Sequence, residues 1–349
     1  MDGFAIRAGD APGVFAIVGE VLMGRQSIQP VTAGGAMRIP TGGTLPLGAD
    51  AVVPIEDVKQ AGERIEIGKT VTAGDCVTPA GADMKSGDTI LRRGRELGAA
   101  EIGVLATLGI IAVRVYRRPI FGVLSSGDEL IEPSQMPSPG EIRDSNRFAV
   151  AAALQAMGVD ARHYPTAADR PDALRSVLEN AVRDCDGVVL TGGSSVGERD
   201  FTPRIVAELG SPGVLVHGLR VKPGKPTVLA AIGDKPIFGL PGNPVSALMI
   251  LEAVLRPLIA ALTGDAWAPP AIPARAEEIF RGCPGWTWFV PVGVRREGFD
   301  VVARPLPIRS ALSSLLTSAA GFVTLGENHG STAVGDLVYI TPFSSGGRW

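Results

Sequence analysis

Lys222 and Lys225 sit on either side of a Pro-Gly turn in the stretch Val221-Lys222-Pro223-Gly224-Lys225-Pro226. Two ammonium groups held this close repel each other unless an anion lies between them. Proline on both flanks stiffens the turn and lowers the entropic cost of presenting both charges. The bland alternative is a solvated basic turn. Three more glycine-marked loops occupy the same part of the chain: LSSGDEL at 124–130, TGGSSVGERD at 191–200 and FGLPGNP at 238–244. In the second of these, Gly192, Gly193 and Gly197 permit positive φ and a close approach of backbone to ligand. Ser194 and Ser195 add hydroxyl donors. The loop joins a buried strand to a helix start, where unpaired N–H groups and the helix dipole favour phosphate. A tight strand-to-helix turn without a ligand is the competing reading. The loop matches neither G-x-x-x-x-G-K-[ST] nor G-x-G-x-x-G, so neither an ordinary P-loop nor a dinucleotide fingerprint is supported. In the last loop, Asn243 is placed to cap a helix, and Ser246 in its first turn offers a donor to a ligand.

Carboxylates accompany these loops. Asp128-Glu129 follow the SSG turn, Asp169 opens a helix and Asp200 ends the TGGSSVGERD loop. Each lies just past a predicted strand, and in a parallel sheet such positions converge on one edge. Several acids beside an anion site point to a divalent metal or to proton transfer, because bare carboxylates would repel the substrate. For Asp169 and Asp200, helix N-capping is the alternative. Asp2-Gly3 and the Thr41-Gly42-Gly43 turn are weaker signals that read equally well as β-turns. The Arg143-Asp144-Ser145-Asn146 stretch either binds a phosphate or caps its helix.

The elements that must position these groups fall into four segments. Residues 1–80 read as an N-terminal β-domain, with short runs at Val14–Val18, Ala36–Ile39, Ala51–Pro54 and Arg64–Ile67 between Gly, Pro and Asp turns. Residues 81–118 read as a linking module, with a short strand at Thr89–Leu91, a helix at Ala99–Leu108 and a strand at Ala112–Val115. Residues 119–265 alternate strand and helix, which implies a doubly wound, mainly parallel α/β sheet. Its helix after Asp169 carries Leu174, Val177, Leu178, Ala181 and Val182 at core-facing spacing. Its last helix starts at Asn243-Pro244 and kinks at Pro257. Residues 266–349 return to β and are expected to form a small C-terminal β-barrel or sandwich.

Composition narrows the function classes. The chain has 349 residues, 45% hydrophobic and 20% charged, with a net charge of −3. That charge gives no global attraction to nucleic acid or an anionic membrane. Aromatics at 5% argue against a base-stacking platform. The three cysteines, Cys76, Cys185 and Cys283, include no C-x-x-C pair, so neither a disulfide framework nor a zinc cluster is expected. No apolar stretch is expected to reach the roughly 18 residues of a membrane span. The first residues lack the layout of a signal peptide, and a cytoplasmic location is the expectation.

These segments resemble a known family, the molybdopterin molybdenumtransferases of the MoeA type, whose animal counterpart is the C-terminal part of gephyrin. MDGFAIR, IPTGGTLPLGADAVVPIED, GADMKSGD, LSSGDEL, TGGSSVGERDF, VKPGKP and FGLPGNPVSA follow that family's order and spacing. The resemblance covers nearly all of the chain and is most specific through residue 265. It implies an α/β domain similar to those of the enzymes that adenylylate molybdopterin. It also implies a homodimer whose active site lies between the α/β domain of one subunit and the β-domain of the other. The implied reaction inserts molybdate into adenylylated molybdopterin, releases AMP and uses a divalent cation, usually Mg²⁺. Contact with the molybdopterin adenylyltransferase and with recipient molybdoenzymes belongs to the same expectation.

Carried over motif by motif, Asp2, Thr41 and Asp83 match the part that faces the partner subunit's site. Glu129, Asp169 and Asp200 match the acids of the α/β site, with the metal role among these three. Lys222 and Lys225 would hold molybdate, and the glycine loop would hold the pyrophosphate. Ser310, in the SALSSL stretch, would face the oxyanion. Two departures stand out. The family places a further segment before the MDG motif, and this sequence starts at the motif: either its start is misplaced or the segment is absent, and absence would be expected to affect dimerisation and the placement of Asp2. The family's Gly-Arg-x-Glu/Asp-Phe-like stretch reads Gly285-Trp286-Thr287-Trp288-Phe289 here. A non-catalytic binding or scaffold protein on the same fold is the alternative function. The acids and both lysines favour the enzyme. A nucleotide-binding enzyme of another class would need a ribose-binding acid about 20 residues past a G-x-G-x-x-G, and the chain has no such pattern.

Overall fold

The computed structural model describes residues 2–192, 201–264, 268, 270–307 and 312–346. The chain falls into two compact units, Met1–Arg92 and Arg93–Trp349.

The first unit is built on one sheet of β1 (Gly3–Ile6), β2 (Gly13–Glu20), β3 (Gly35–Ile39), β4 (Ala51–Pro54), β5 (Lys59–Ala61) and β6 (Arg64–Ile67). Their spatial order is β4-β1-β3-β2-β6-β5, and only β2 and β3 run parallel. Side chains alternate across the pleat with a period of two. Phe4 and Ile6 therefore pack with Phe15, Val53, Ile65 and Ile67 on one face. Ala5 packs with Val21, Val31, Met37, Ile39 and Val52 on the other. The Gly3–Ile6 segment, read from sequence as a motif alone, is thus a central strand. Thr89–Leu91, expected as a strand, is irregular.

The second unit opens with α1 (Ala99–Thr107), whose Glu101 carboxylate accepts the Gly98 N–H at 3.1 Å. The strand expected at Ala112–Val115 does not form. Ile111 and Val115 are exposed, and no described strand pairs with this segment. Next come β7 (Ile120–Ser125), the short parallel pair β8 (Leu130–Ile131) and β9 (Ile142–Arg143), α2 (Asn146–Ala156) and β10 (Asp160–His163). They are followed by α3 (Pro171–Asp184), β11 (Gly187–Thr191), α4 (Thr202–Leu209), β12 (Pro212–His217), β13 (Val221–Lys222), β14 (Val228–Ile232), β15 (Lys235–Leu240), α5 (Pro244–Ile250) and α6 (Arg256–Thr263). The sheet order is β10-β7-β11-β15-β14-β12. Its first four strands are parallel, and β14 and β12 are added antiparallel. Helices cover both faces. Val150, Leu154, Val245 and Met249 of α2 and α5 pack with Phe121, Val123, Val189 and Leu240. Leu174, Leu178, Ile205 and Val206 of α3 and α4 pack with Leu124, Val188, Leu190 and Ile237. Each fully buried Leu, Ile or Val contributes roughly 1.5–3 kcal/mol.

The last helix of this domain bends as its proline requires. Pro257 has no N–H to give and its ring crowds the preceding turn. One π-helical turn at Leu251–Leu255 absorbs the misfit between α5 and α6. The run Pro244–Thr263 has 20 residues, with a mean hydropathy of 2.0 over an 18-residue window, long and apolar enough to span a bilayer. That corrects the expectation that no apolar stretch reaches such a length. The run is a core helix: Val245, Met249, Leu251, Leu255 and Ile259 lie in the same buried cluster as the sheet. Its polar groups tie down the end of the chain. Glu252 accepts the Ser344 N–H at 3.1 Å, and Arg256 donates to the Pro342 carbonyl at 3.0 Å.

A closed barrel follows, made of β16 (Ile272–Ala276), β17 (Thr287–Glu297), β18 (Asp300–Pro305), β19 (Gly321–Leu325) and β20 (Leu337–Pro342). The ring runs β17-β18-β16-β20-β19 and closes by pairing β19 with β17. Ala274, Ala276, Val290, Val292, Ala303 and Val323 fill it, with small residues where the strands crowd. The two-residue strand β13 joins β17 by parallel pairing, Val221 opposite Thr287 and Lys222 opposite Trp288.

The entry to β7 rests on an ion pair. Asp186 binds Arg117 through both oxygens, at 2.6 and 2.5 Å, and accepts the Ile120 N–H at 2.8 Å. The guanidinium, then the backbone N–H, hold the Asp186 carboxyl at about 2, below its ordinary 3.8. A lowered folded-state value means stability that is present above 3.8 and lost as pH falls through about 2. Arg117→Ala is therefore expected to be less stable than the parent protein at neutral pH. Urea unfolding as a function of pH should show that gap closing between these two values. A gap of constant size down to pH 2 would contradict the assignment.

Candidate functional site

Parallel pairing places the ends of three strands side by side. Thr191 of β11 lies opposite Ser125 of β7 and Leu240 of β15. The chain leaves all three strands at this edge, so the LSSGDEL, TGGSSVGERD and FGLPGNP loops begin next to one another. Gly192 shows why the second loop starts with glycine. Its φ is +83°, and a Cβ there would lie 2.2 Å from the Ser126 carbonyl oxygen. Any side chain would be strained and would collide with backbone. Gly242 passes the same point, since its Cβ would lie 3.7 Å from the Gly192 Cα. Asn146 at the start of α2 donates to the Gly242 carbonyl at 2.7 Å.

The acids at this edge are held by hydroxyls and backbone. The Ser126 hydroxyl donates to Asp169 Oδ1 at 2.8 Å, and the Asp169 N–H donates to Asp128 Oδ1 at 3.0 Å. Asp169 therefore does not cap α3, whose N-terminus lacks a side-chain cap. Its carboxylate is tied to the loop after β7 instead. Glu129 is exposed, and its carboxylate folds over Gly127, where a Cβ would lie 2.9 Å from Oε2. Asp128, Glu129 and Asp169 thus share one strand end. Asp200, the third acid of the expected metal set, lies outside the described residues, as do Gly193, Ser194, Ser195, Gly197 and Ser310. Among the described residues no three His, Cys, Asp or Glu side chains are grouped to hold a metal ion.

Sequence reasoning missed the support beneath this edge. Asp144 is 1% exposed and lies at the centre of a buried network. It accepts from the Ser125 hydroxyl at 3.1 Å, from the Arg147 N–H at 3.1 Å and from the Thr166 hydroxyl at 3.3 Å. It also pairs with the buried Arg147 guanidinium at 3.3 Å. Ser125 Oγ in turn meets Thr191 Oγ1 at 2.9 Å, linking β7 to β11 under the loops. A buried charge pair of this kind fixes geometry more than it adds stability. The signal available in the sequence was two hydroxyls at a strand end, SerSer, followed later by an acid before a helix. Asp144, rather than Ser145, supplies the side-chain acceptor at that helix start.

Asn243 also differs from expectation. Its carbonyl accepts the Ala247 N–H at 2.9 Å, but its side chain makes no capping bond and is exposed. Ser246, one turn into α5, is 4% exposed.

The lysine turn is rigid. Gly224 has φ +111°, and a Cβ there would lie 2.2 Å from Ile250 Cγ1, so only glycine fits. The buried Thr227 hydroxyl donates to the Gly224 carbonyl at 2.7 Å, and the Leu219 N–H donates to the Lys225 carbonyl at 2.8 Å. Both lysines are exposed, and among the described residues neither pairs with a carboxylate. The Lys222 Nζ lies over two indoles, 5.6 Å from the Trp286 ring centroid and 4.9 Å from that of Trp288.

In the first unit, Asp2 and Thr41 meet. Asp2 Oδ1 accepts the Thr41 N–H at 2.9 Å and its hydroxyl at 3.1 Å. These two bonds, the backbone one first, lower the Asp2 carboxyl below its ordinary value. Asp2 thereby fixes the start of the Thr41-Gly42-Gly43 turn. Asp83 is exposed and has no hydrogen-bond or ion-pair partner among the described residues.

Comparison with known proteins agrees with this layout. Residues 1–109 match the family model described as the MoeA N-terminal region, domains I and II. Residues 122–261 match the one described as a probable molybdopterin binding domain. A molybdopterin molybdenumtransferase from Nostoc sp. is 34% identical over 290 residues, covering 80% of this chain and 66% of that protein. One from Haemophilus influenzae is 31% identical, covering 99% of this chain and 86% of that protein. Two crystal structures of the molybdopterin biosynthesis MoeA protein from Pyrococcus horikoshii superpose with TM-scores of 0.81 and 0.85, at 32% and 26% identity. Each covers 98% of this chain and 86% of its own. The chain belongs to the MoeA family of molybdopterin molybdenumtransferases, transferases of molybdenum cofactor biosynthesis.

Proposed function

We propose that this protein inserts molybdate into adenylylated molybdopterin and releases AMP. The observation that carries the reading is the joint edge of β7, β11 and β15, where loops that suit a phosphate meet a pair of anchored carboxylates. The backbone at Gly192 comes close enough to a ligand to offer N–H donors without a side chain in the way. The pyrophosphate of the adenylylated pterin is the anion of this loop. Lys222 and Lys225 bind molybdate, a compact dianion, as point charges on a stiff turn. Asn243 and Ser246 supply neutral donors beside them.

Two dianions brought together repel each other, so the site needs a counter-charge. The carboxylates of Glu129, Asp169 and Asp200 are hard oxygen donors of the kind Mg²⁺ prefers. When bound, the ion supplies positive charge to the phosphate oxygens. The Ser126 hydroxyl restrains the Asp169 carboxylate, which lowers the entropic cost of using it as a ligand. In the same reading the protein is a cytoplasmic homodimer, and Asp2, Thr41 and Asp83 act on substrate. It contacts the molybdopterin adenylyltransferase and the recipient molybdoenzymes.

Lys222→Ala and Asp200→Ala are each expected to cut molybdate-dependent AMP release by about 10²-fold or more, with thermal unfolding unchanged. AMP release at the parent rate in either purified variant would remove that residue from the site. Chelation with EDTA is expected to stop AMP release, and added Mg²⁺ to restore it. Full activity in EDTA would remove the metal from the proposal.

A further inference from the structure

Lys222 is held by aromatic faces, and the way it is held points to a role for residues outside the expected set. β13 and β17 pair in parallel with Lys222 directly opposite Trp288. Trp286 lies two positions earlier, just before β17, and its ring also meets the ammonium. It is presented by a Pro284-Gly285 turn in which Gly285 has φ +80° and the Trp286 N–H donates to the Cys283 carbonyl at 3.1 Å. This is a type II turn, with proline and glycine at the two positions that need them. The Thr287 N–H donates to the Arg220 carbonyl at 2.9 Å, so backbone bonding brings the two segments together. The side-chain contacts rest on that frame.

We propose that Trp286 and Trp288 are positioning residues that clamp the Lys222 ammonium for an incoming tetrahedral oxyanion. A carboxylate partner would hold the ammonium equally well but would cancel its charge and compete with the anion. An indole face attracts a cation through its quadrupole and leaves the full positive charge available. The turn backbone is already fixed by Gly224 and Thr227. The freedom left is that of the lysine side chain, and the two rings restrict it before the ligand arrives. The edge of Trp288 supports the same reading. Among the described residues its Nε1–H is buried without an acceptor, although a buried indole N–H usually finds one. Packing against the barrel core rather than a hydrogen bond among the described residues sets the orientation of this ring, and the ammonium lies on its face.

The proposal rests on the reading of Lys222 as an oxyanion ligand, and the test separates the two. Molybdate binding to the full-length protein is measured by calorimetry, and Lys222 is followed by NMR in ¹³C-lysine-labelled protein, assigned by its loss in Lys222→Arg. Ring currents are expected to move the Lys222 ε-methylene signal upfield of the other lysines, and Trp288→Leu to abolish that shift. Trp288→Leu is expected to weaken molybdate binding by about tenfold, and Trp288→Phe, which keeps a π face, by only about threefold. Equal binding by the leucine and parent proteins, with binding lost in Lys222→Ala, overturns the clamp and leaves the lysine assignment standing. Equal losses in the leucine and phenylalanine variants also overturn it, since they would report packing. Parent-like binding in Lys222→Ala overturns the oxyanion reading of that lysine, and the clamp with it.

Discussion

The parallel pairing of β7, β11 and β15 is the constraint on which the rest of the site depends. In a parallel sheet all strands end at the same edge, and hydrogen-bond register decides which residues stand together there. Here the register places Ser125, Thr191 and Leu240 in one row. Everything beyond that row follows from crowding. The backbone of Gly192 passes so close to Ser126 that a side chain is excluded there, with Gly242 in van der Waals contact beside it. Beneath the row, Asp144 and Arg147 connect the strand ends to α2 through a buried network, so the edge does not depend on loop packing alone.

Charge is distributed around that edge by two different means. The acids are restrained by hydroxyl and amide donors, as Asp169 is by Ser126 and Asp128 by the Asp169 N–H. Lys222 is restrained without an acid among the described residues. Ile250 of α5 packs where a Gly224 side chain would be, so the core helix fixes the lysine turn from below. The barrel then supplies aromatic faces above it. The π turn that accommodates Pro257 belongs to the same chain of causes, because it lets one long apolar helix serve both the sheet and the C-terminal segment. The Trp-rich departure at Gly285–Phe289 sits where β13 meets the barrel, beside Lys222.

Much of this was legible in the sequence because its physics is local. Alternation of strand and helix over 119–265 reads as a doubly wound sheet, and the period of α3 marks its buried face through Leu174 and Leu178. Proline and glycine announced the turns and the break at Pro257. What was not legible depends on partners far away in sequence. Asp169 looks like a helix cap, and only the bridge that sets Ser126 beside Ala167 reveals its real partner. Asp144 looks like one polar residue among four until its burial is known. Ala112–Val115 has the composition of a strand, but no described strand pairs with it, so composition alone misled. The meeting of Lys222 with Trp286 and Trp288 spans more than sixty residues and is set by a two-residue parallel pairing that no periodicity signals.

The central claim is that this strand edge handles two anions in one reaction, a pterin pyrophosphate and molybdate. The most direct test is to follow AMP formed by the purified protein from adenylylated molybdopterin with Mg²⁺, with and without molybdate. The account predicts AMP release that requires molybdate and saturates with it. AMP release indifferent to molybdate, or none at all from protein that binds both ligands, would contradict it.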